Sequence, residues 1–444
     1  VALFAAAEAG IPHVPLNYRL ADHDLRALAT RETPALALVG DDARDRLSGL
    51  EGVTLLDRHE LLATPADTGA PTDTGAEGAW PDDPDAVAVV LFTSGTTGPP
   101  KSAVLRHRHL VSYVLGTVEF MSAEPDEATL VSVPPYHIAG VAATLSALYA
   151  GRRLVHLPRF DPDAWIDLVA DEGITHAMVV PTMLARIVER LERRRVELPS
   201  LRALSYGGGP MPRPVIERAL ELLPATGFVN AYGLTETSST ITLLGPDDHR
   251  EAAASTDPAV RRRLGSVGRP LPGIEIQIRD ETGRVLGPDT EGEVWVRGAQ
   301  VAGEYLEGGS RLDPEGWFPT RDRGLLDPDG HLHLGGRADD VIVRGGENLS
   351  PAEIEEVARQ VPGVADAAAV GVSDLEWGEM VALVVVPDDP SAPPDPEAIV
   401  EHIRSRLRSI KVPGRIVWRD ELPYNETGKL LRRVLRDELA DAGT

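Results

Sequence analysis

The 444-residue chain has no cysteine. That excludes a disulfide framework, a cysteine metal site and a thiol nucleophile. It is compatible with the cytoplasm, the expected location. No apolar run approaches the roughly 20 residues that a membrane span needs. The longest, such as "AVAVVLF" at 86–92, are strand-sized, and no lipidation motif is present. Positive charge is in deficit, with 44 Lys and Arg against 69 Asp and Glu and a net charge of −25. Nucleic acid is therefore not an expected partner. Any anionic ligand must be held locally, by backbone N–H groups, a metal or a few placed cations. A starting Met is also lacking. The opening "VALFAAAEAG" reads as the middle of an apolar helix without the basic leader of a signal peptide. A further N-terminal piece is expected to precede it.

Apolar residues make up 42% of the chain, enough for a large core and more than one domain. Residues 63–86, rich in Pro, Gly, Ala, Thr and Asp, read as a solvated loop or linker. Strands then alternate with helices. The pattern predicts strands at 86–92, 129–133, 153–157, 175–180, 201–206 and 227–232, and helices at 138–149, 162–171, 182–194 and 213–223. This argues for a parallel sheet covered by helices. From 264 to 335, short alternating runs such as "IEIQIRD" and "GEVWVRG" predict antiparallel hairpins. From about 338, helices at 351–360 and 395–408, strands near 366–372 and 381–386 and a basic end suggest a small α+β domain.

Three segments follow predicted strands: "TSGTTG" from Thr93, "GGGP" from Gly207, and "YGLTE" from Tyr232. In an open parallel sheet, ligands bind beyond the carboxyl ends of the strands, so the three are expected to line one crevice. Thr93, Ser94, Thr96 and Thr97 offer hydroxyls, Gly95 and Gly98 let main-chain N–H groups approach phosphate, and Lys101 adds a cation. This is not a Walker loop, because Pro100 precedes the lysine. Thr235 and Glu236 could hold Mg²⁺ beside phosphates. Asp322, expected in a turn between hairpins, could accept both ribose hydroxyls, and Arg337 could bind phosphate. Taken singly, each motif is as well read as a surface loop, a strand end or a surface charge. Most lone histidines, such as His137, are structural or simply exposed. Met183, Trp165, Trp317 and Trp377 are expected to pack rather than to touch ligand.

Together the segments resemble the adenylate-forming superfamily of acyl-CoA synthetases, peptide-synthetase adenylation domains and beetle luciferases. "TSGTTGPPK", "YGGGP", "NAYGLTE", "TRDRGLLDPDGHLHLGGRADDVIVRGGENLSPAEIE" and "NETGKLLRR" occur in the family's order, from near residue 1 to about 435. The resemblance implies an α/β fold: a large N-terminal domain (1–337) of packed mixed and parallel sheets with helices and a small β-barrel-like part. A small mobile α+β C-terminal domain (338–444) would follow, with its hinge near Asp339. It implies two steps with ATP, Mg²⁺ and CoA, and no organic prosthetic group. A carboxylate attacks the α-phosphate of ATP, giving acyl-AMP and pyrophosphate. A thiol, of CoA or of a carrier protein, then takes the acyl group and AMP leaves. Positioning and charge stabilisation at phosphorus are the protein's task.

Carried over by motif, Thr93 to Lys101 should cradle the β- and γ-phosphates. Gly208, Gly209 and Pro210 should border the adenine, with Tyr232 stacked on it within the segment Asn230, Ala231, Tyr232, Gly233. Thr235 should contact the α-phosphate and Glu236 the Mg²⁺, with Asp322 and Arg337 on the ribose or phosphate. Lys429 should stabilise the pentacoordinate phosphorus. Rotation at Asp339 would exchange it for the segment around Gly345 and Gly346 at the CoA thiol. Candidate acyl-pocket residues are His137, Gly140, Met183, Gly207 and Ser238, the glycines giving room. Ser102 stands where Gly or Ala is commoner, and Arg321 where Gly is usual. No Asp follows the aromatic residue in "PPYHIAG", which argues for an acid without an α-amino group. Which acid, which thiol acceptor, whether both half-reactions are retained, and the oligomeric state are not legible. If Lys429 serves the first step alone, Lys429→Ala loses acyl-AMP formation but still forms thioester from supplied acyl-adenylate. Equal loss of both steps would contradict the two-state hinge.

Overall fold

Apolar side chains recur every three or four residues through the helix Pro181–Arg194, and Leu184, Ile187, Val188 and Leu191 are all buried. This stripe packs on a sheet whose strands are apolar on both faces, as parallel strands covered by helices must be. The computed structural model describes residues 1–59, 83–93, 100–337, 340–344, 347–374, 377–425, 428 and 430–441. The expected sites at Ser94, Gly95, Thr96, Thr97, Gly98, Asp339, Gly345, Gly346 and Lys429 lie outside the described residues, as does most of the 63–86 linker.

Five parallel strands run from one edge of a seven-stranded sheet: Arg153–His156, Ala128–Val131, His176–Val179, Ala203–Gly207 and Gly227–Leu234, in that spatial order. Ser239–Leu244 and Arg269–Pro270 continue it antiparallel. Trp165, Ile166, Leu184, Ile187, Tyr206 and Phe228 fill the core against this sheet. The helix Pro162–Asp171 starts where its pattern predicts. Asp161 caps it by accepting from the Ala164 N–H at 3.0 Å, and Pro162 occupies the first helical position. A four-stranded antiparallel sheet holds Glu275–Arg279, Gly292–Arg297, Phe318–Leu326 and Leu332–Arg337. The C-terminal sheet pairs Val364–Asp374 with Gly378–Pro387, with the core residues Ile354, Leu383, Ile399 and Ile403 around it.

The structure corrects several expectations. The strand Val87–Thr93 is not in the parallel sheet. It pairs antiparallel with Lys101–Arg106 in a separate four-stranded sheet. The segment expected to bind phosphate therefore lies between two antiparallel strands instead of topping a parallel one. Asp322 is not in a turn but within the strand Phe318–Leu326, opposite Arg337. Trp377 is 44% exposed, against the Arg344 guanidinium at 5.8 Å, and so is not a packing residue. The basic end contains a strand, Arg415–Trp418, and a helix, Arg432–Asp441. The strand is defined by its pairing on the C-terminal sheet, whereas the helix has an apolar stripe of its own, whose Leu435 and Leu439 pack on that sheet.

Gly140 and Gly207 do not open space. A Cβ on Gly140 would lie 2.6 Å from the Pro134 carbonyl oxygen, and one on Gly207 would lie 2.1 Å from that of Ala231. Both are glycine because main chain passes too close for a side chain. Among the described residues the tightest such position is Gly233, whose Cβ would sit 1.8 Å from the Ser239 carbonyl oxygen. Gly233→Ala is therefore expected to cost at least about 2 kcal/mol of stability. Gly116→Ala, on an open position of the helix His107–Thr117, should gain up to about 1 kcal/mol. Denaturant titration of the two variants checks both signs.

Candidate active site

The site is assembled from segments far apart in sequence. Lys101 begins its strand directly after the phosphate segment, and Thr93 is its register partner. The short strand Glu304–Tyr305 pairs alongside, with Tyr305 opposite Ala103. That register brings the Tyr305 ring to 5.6 Å from Lys101 Nζ. The Tyr305 hydroxyl donates to Glu236 Oε1. Lys101, Tyr305 and Glu236 thus form one row, cation to ring to carboxylate. Tyr305 was not foreseen. A single aromatic in "VAGEYLEG" carries no signal until its strand pairing is known.

Glu236 is 8% exposed and lies in the 3₁₀ turn Thr235–Thr237. This turn reverses the chain between Gly227–Leu234 and Ser239–Leu244, which is why Gly233 meets Ser239 so closely. The turn is fixed from several sides. The Thr237 hydroxyl accepts from the Leu234 N–H at 2.9 Å, and Gln300 Nε2 donates to the carbonyls of Thr237 (3.0 Å) and Thr240 (2.7 Å). The Glu236 carbonyl accepts from the N–H groups of Ala302 at 2.8 Å and Gly303 at 3.1 Å. Gln300 is a second group that the sequence did not single out. Ser238 follows at φ 56 and is wholly buried, its hydroxyl without a hydrogen-bond partner among the described residues.

Tyr232 and Asp322 meet directly. The Tyr232 hydroxyl donates to Asp322 Oδ2 at 2.6 Å, and both side chains are buried. The Asp322 N–H donates to the Thr320 hydroxyl at 3.1 Å, and that hydroxyl donates to the Val294 carbonyl at 2.8 Å. Arg321, standing where the family's motif has Gly, takes φ 65. A non-glycine residue there bears a left-handed penalty of roughly 1 kcal/mol, which is the physical reason Gly is usual. Arg337 is opposite Asp322 across the sheet, with only its main chain described. The Asn230 amide donates to the Ser266 carbonyl at 3.0 Å, holding a neighbouring loop.

The remaining candidates divide. Gly208 takes φ 84, and Gly209 faces Pro181 and the Gly428 carbonyl, 3.7 Å from where its Cβ would be. Gly428 in turn would place a Cβ 2.7 Å from Thr182 Oγ1. The residue preceding Lys429 is thus seated on the rim made by residues 181, 182 and 209, a contact that sequence separation hides. His137 precedes the helix Ile138–Ala150, its ring 4.8 Å from that of Tyr136. Met183 is buried in the main core.

The donor set at Glu236 is oxygen only, the kind that Mg²⁺ takes beside phosphate oxygens. Among the described residues no group of three or more His, Asp or Glu forms a metal site of its own, so the ion's remaining ligands would come from substrate and water. Tyr305→Phe keeps the ring over Lys101 but removes the hydrogen bond to a buried carboxylate, worth about 1.5–3 kcal/mol. Adenylation, followed as pyrophosphate release, should fall roughly ten- to hundredfold, and the melting temperature should drop as the buried carboxylate loses its donor. Undiminished release would remove Tyr305 from the site.

Comparison with known proteins identifies the family. Residues 1–306 match the family described as AMP-binding enzyme, and residues 353–429 match the AMP-binding enzyme C-terminal domain. The chain is 31% identical to an indoleacetate–CoA ligase of Aromatoleum aromaticum, over 99% of this chain and 85% of that protein. It is 32% identical to a fatty acid–[acyl-carrier-protein] ligase of Streptomyces coeruleorubidus, over 98% and 83%. Among solved structures, the o-succinylbenzoate CoA synthetase of Bacillus subtilis with its acyl-adenylate aligns with a TM-score of 0.82 at 30% identity, covering 98% of this chain and 85% of that one. That synthetase is also known with ATP and magnesium ion. No helix among the described residues is long and apolar enough to cross a membrane. The chain belongs to the adenylate-forming superfamily of AMP-binding enzymes and is an AMP-forming acid–thiol ligase using ATP, Mg²⁺ and CoA.

Proposed function

We propose that the protein is an acyl-CoA synthetase for a carboxylic acid without an α-amino group, fatty, aromatic or polycyclic, acting in the cytoplasm where ATP and CoA are held. The acid's carboxylate oxygen attacks the α-phosphorus of ATP, the bond to the bridging oxygen breaks, and pyrophosphate leaves. The CoA sulfur then attacks the acyl carbonyl carbon, loses its proton, and AMP departs. The observation that carries this reading is the convergence of Lys101, Tyr305 and Glu236 in one row, with Gly428 seated at the adenine rim.

In this reading Lys101 holds the outer phosphates, and Glu236 would hold Mg²⁺, which would offset phosphate charge. Thr235 directs the α-phosphate. Asp322 accepts the ribose hydroxyls, and Tyr232, held by its hydrogen bond to Asp322, presents its ring to the adenine between Gly208–Pro210 and Gly233. Arg337 lies at the end of the large domain, 1–337. The C-terminal domain, 338–444, turns about Asp339. The seating of Gly428 on Gly209 and Thr182 supports an arrangement in which Lys429 serves adenylation. Turning about Asp339 brings Gly345 and Gly346 to the thiol instead.

The acyl group enters beside His137. Because the missing side chains of Gly140 and Gly207 face main chain, pocket size depends on their neighbours, including Met183 and the Ser238 turn. The relatives act on indoleacetate, succinylbenzoate and fatty acids, which supports a broad first panel. Pyrophosphate release across aromatic, fatty and polycyclic acids, with mass spectrometry of the thioester, should identify one acid class and a CoA product. The similarity to an acyl-carrier-protein ligase keeps a second acceptor in view. Faster transfer to a pantetheinylated carrier than to free CoA would make the protein a carrier-loading ligase. Thioester formed only from supplied acyl-adenylate would make it a half-reaction enzyme, and no product with any acid would overturn the proposal.

A further inference from the structure

The helix Asp22–Arg31 ends on a residue that touches both strands of the phosphate hairpin. The Arg31 guanidinium lies over the Phe92 ring at 5.1 Å. Its Nη1 donates to the Pro100 carbonyl at 2.8 Å and its Nη2 to the Ser102 hydroxyl at 3.0 Å. Phe92 and Ser102 are register partners, so the contact spans the hairpin one pair below Thr93 and Lys101. Arg31 also pairs with Glu307. Glu307 in turn accepts from the Ser102 hydroxyl at 2.7 Å and the Ser102 N–H at 3.1 Å.

We propose that Arg31, Ser102 and Glu307 form a positioning clamp that fixes Lys101 relative to Tyr305 and thereby sets the affinity for the outer phosphates of ATP. Three arguments carry it. Lys101 lies between the two residues gripped by Arg31, Pro100 and Ser102, so its backbone is held on both sides. Glu307 lies two residues beyond Tyr305, so the same carboxylate ties the tyrosine strand to the lysine strand. Only an arginine has the planar fork that can reach a carbonyl, a hydroxyl and a carboxylate while lying over a ring. Ser102 is 1% exposed and satisfied by this network. A serine where a smaller residue is commoner is thereby accounted for, since Gly or Ala would leave Arg31 and Glu307 without their shared hydroxyl. Glu307 is also electrostatically tuned. Burial acts to raise its pKa, but the Ser102 hydroxyl and N–H and the Arg31 charge outweigh it and keep the carboxyl below its ordinary value.

The inference rests on reading the Lys101 hairpin as the ATP-phosphate side. Calorimetric affinities for Mg·ATP and for AMP separate the two ideas. In Arg31→Ala, Mg·ATP binding should weaken roughly tenfold, while AMP binding, which makes no outer-phosphate contact, stays within twofold. Arg31→Lys, keeping the charge but not the fork, should fall between. Arg31→Ala combined with Glu307→Gln should cost less than the sum of the single changes. Equal weakening of ATP and AMP would make Arg31 a general support of the fold and overturn the clamp. Unchanged ATP binding in Arg31→Ala, with weakened binding in Lys101→Ala, would overturn the clamp alone. Unchanged binding in Lys101→Ala would overturn the placement of ATP phosphates at this hairpin as well.

Discussion

A chain of net charge −25 that uses ATP must attract a polyanion into a local field opposite to its own. The rest of the site follows from that constraint. The cation Lys101 is exposed at the mouth of a hairpin, while the carboxylate beside it, Glu236, is buried and hydrogen-bonded to a tyrosine. In the proposed mechanism that carboxylate would hold Mg²⁺, whose charge would offset that of the phosphates. The buried turn Thr235–Thr237 and the Gln300 contacts hold the carboxylate in place, so that little reorganisation is required when charge develops at phosphorus.

The same constraint explains why the site uses so much tightly spaced main chain. Gly207 against Ala231 and Gly233 against Ser239 leave no room for side chains. In the proposed function, main-chain groups there border the flat adenine base and N–H groups face phosphate oxygens without adding charge. The left-handed Arg321 accepts local strain beside Asp322, in a strand whose register is also irregular just beyond it. Strain of this kind persists where the surrounding sheet determines it from both sides.

Much of the architecture was legible. The helices at 162–171 and 182–194 appear within a residue of the predicted bounds, because their apolar stripes and the Asp161 and proline starts are local signals. The hairpin of "IEIQIRD" with "GEVWVRG" is likewise present. The misplacement of the phosphate strand has a plain cause. "AVAVVLF" is apolar on both faces, as a parallel strand would be, but here both faces are covered within an antiparallel sheet. Strand composition reports burial, not direction. Asp322 was expected in a turn because Gly and Asp crowd the segment, whereas the sheet absorbs them as a bulged strand.

The sequence by itself determined the family, the two-step chemistry it implies and the candidate residues, because five motifs in fixed order are a local, one-dimensional signal. Tertiary structure alone decided which of these residues meet. The Tyr232–Asp322 hydrogen bond joins positions 90 residues apart, Tyr305 reaches Glu236 across 69, and Arg31 grips Pro100 across 69. Gly428 comes to rest on Gly209 only through the docking of one domain on the other. Contacts of that kind depend on strand register and on the faces that elements turn toward one another. Neither is written in the spacing of residues along the chain.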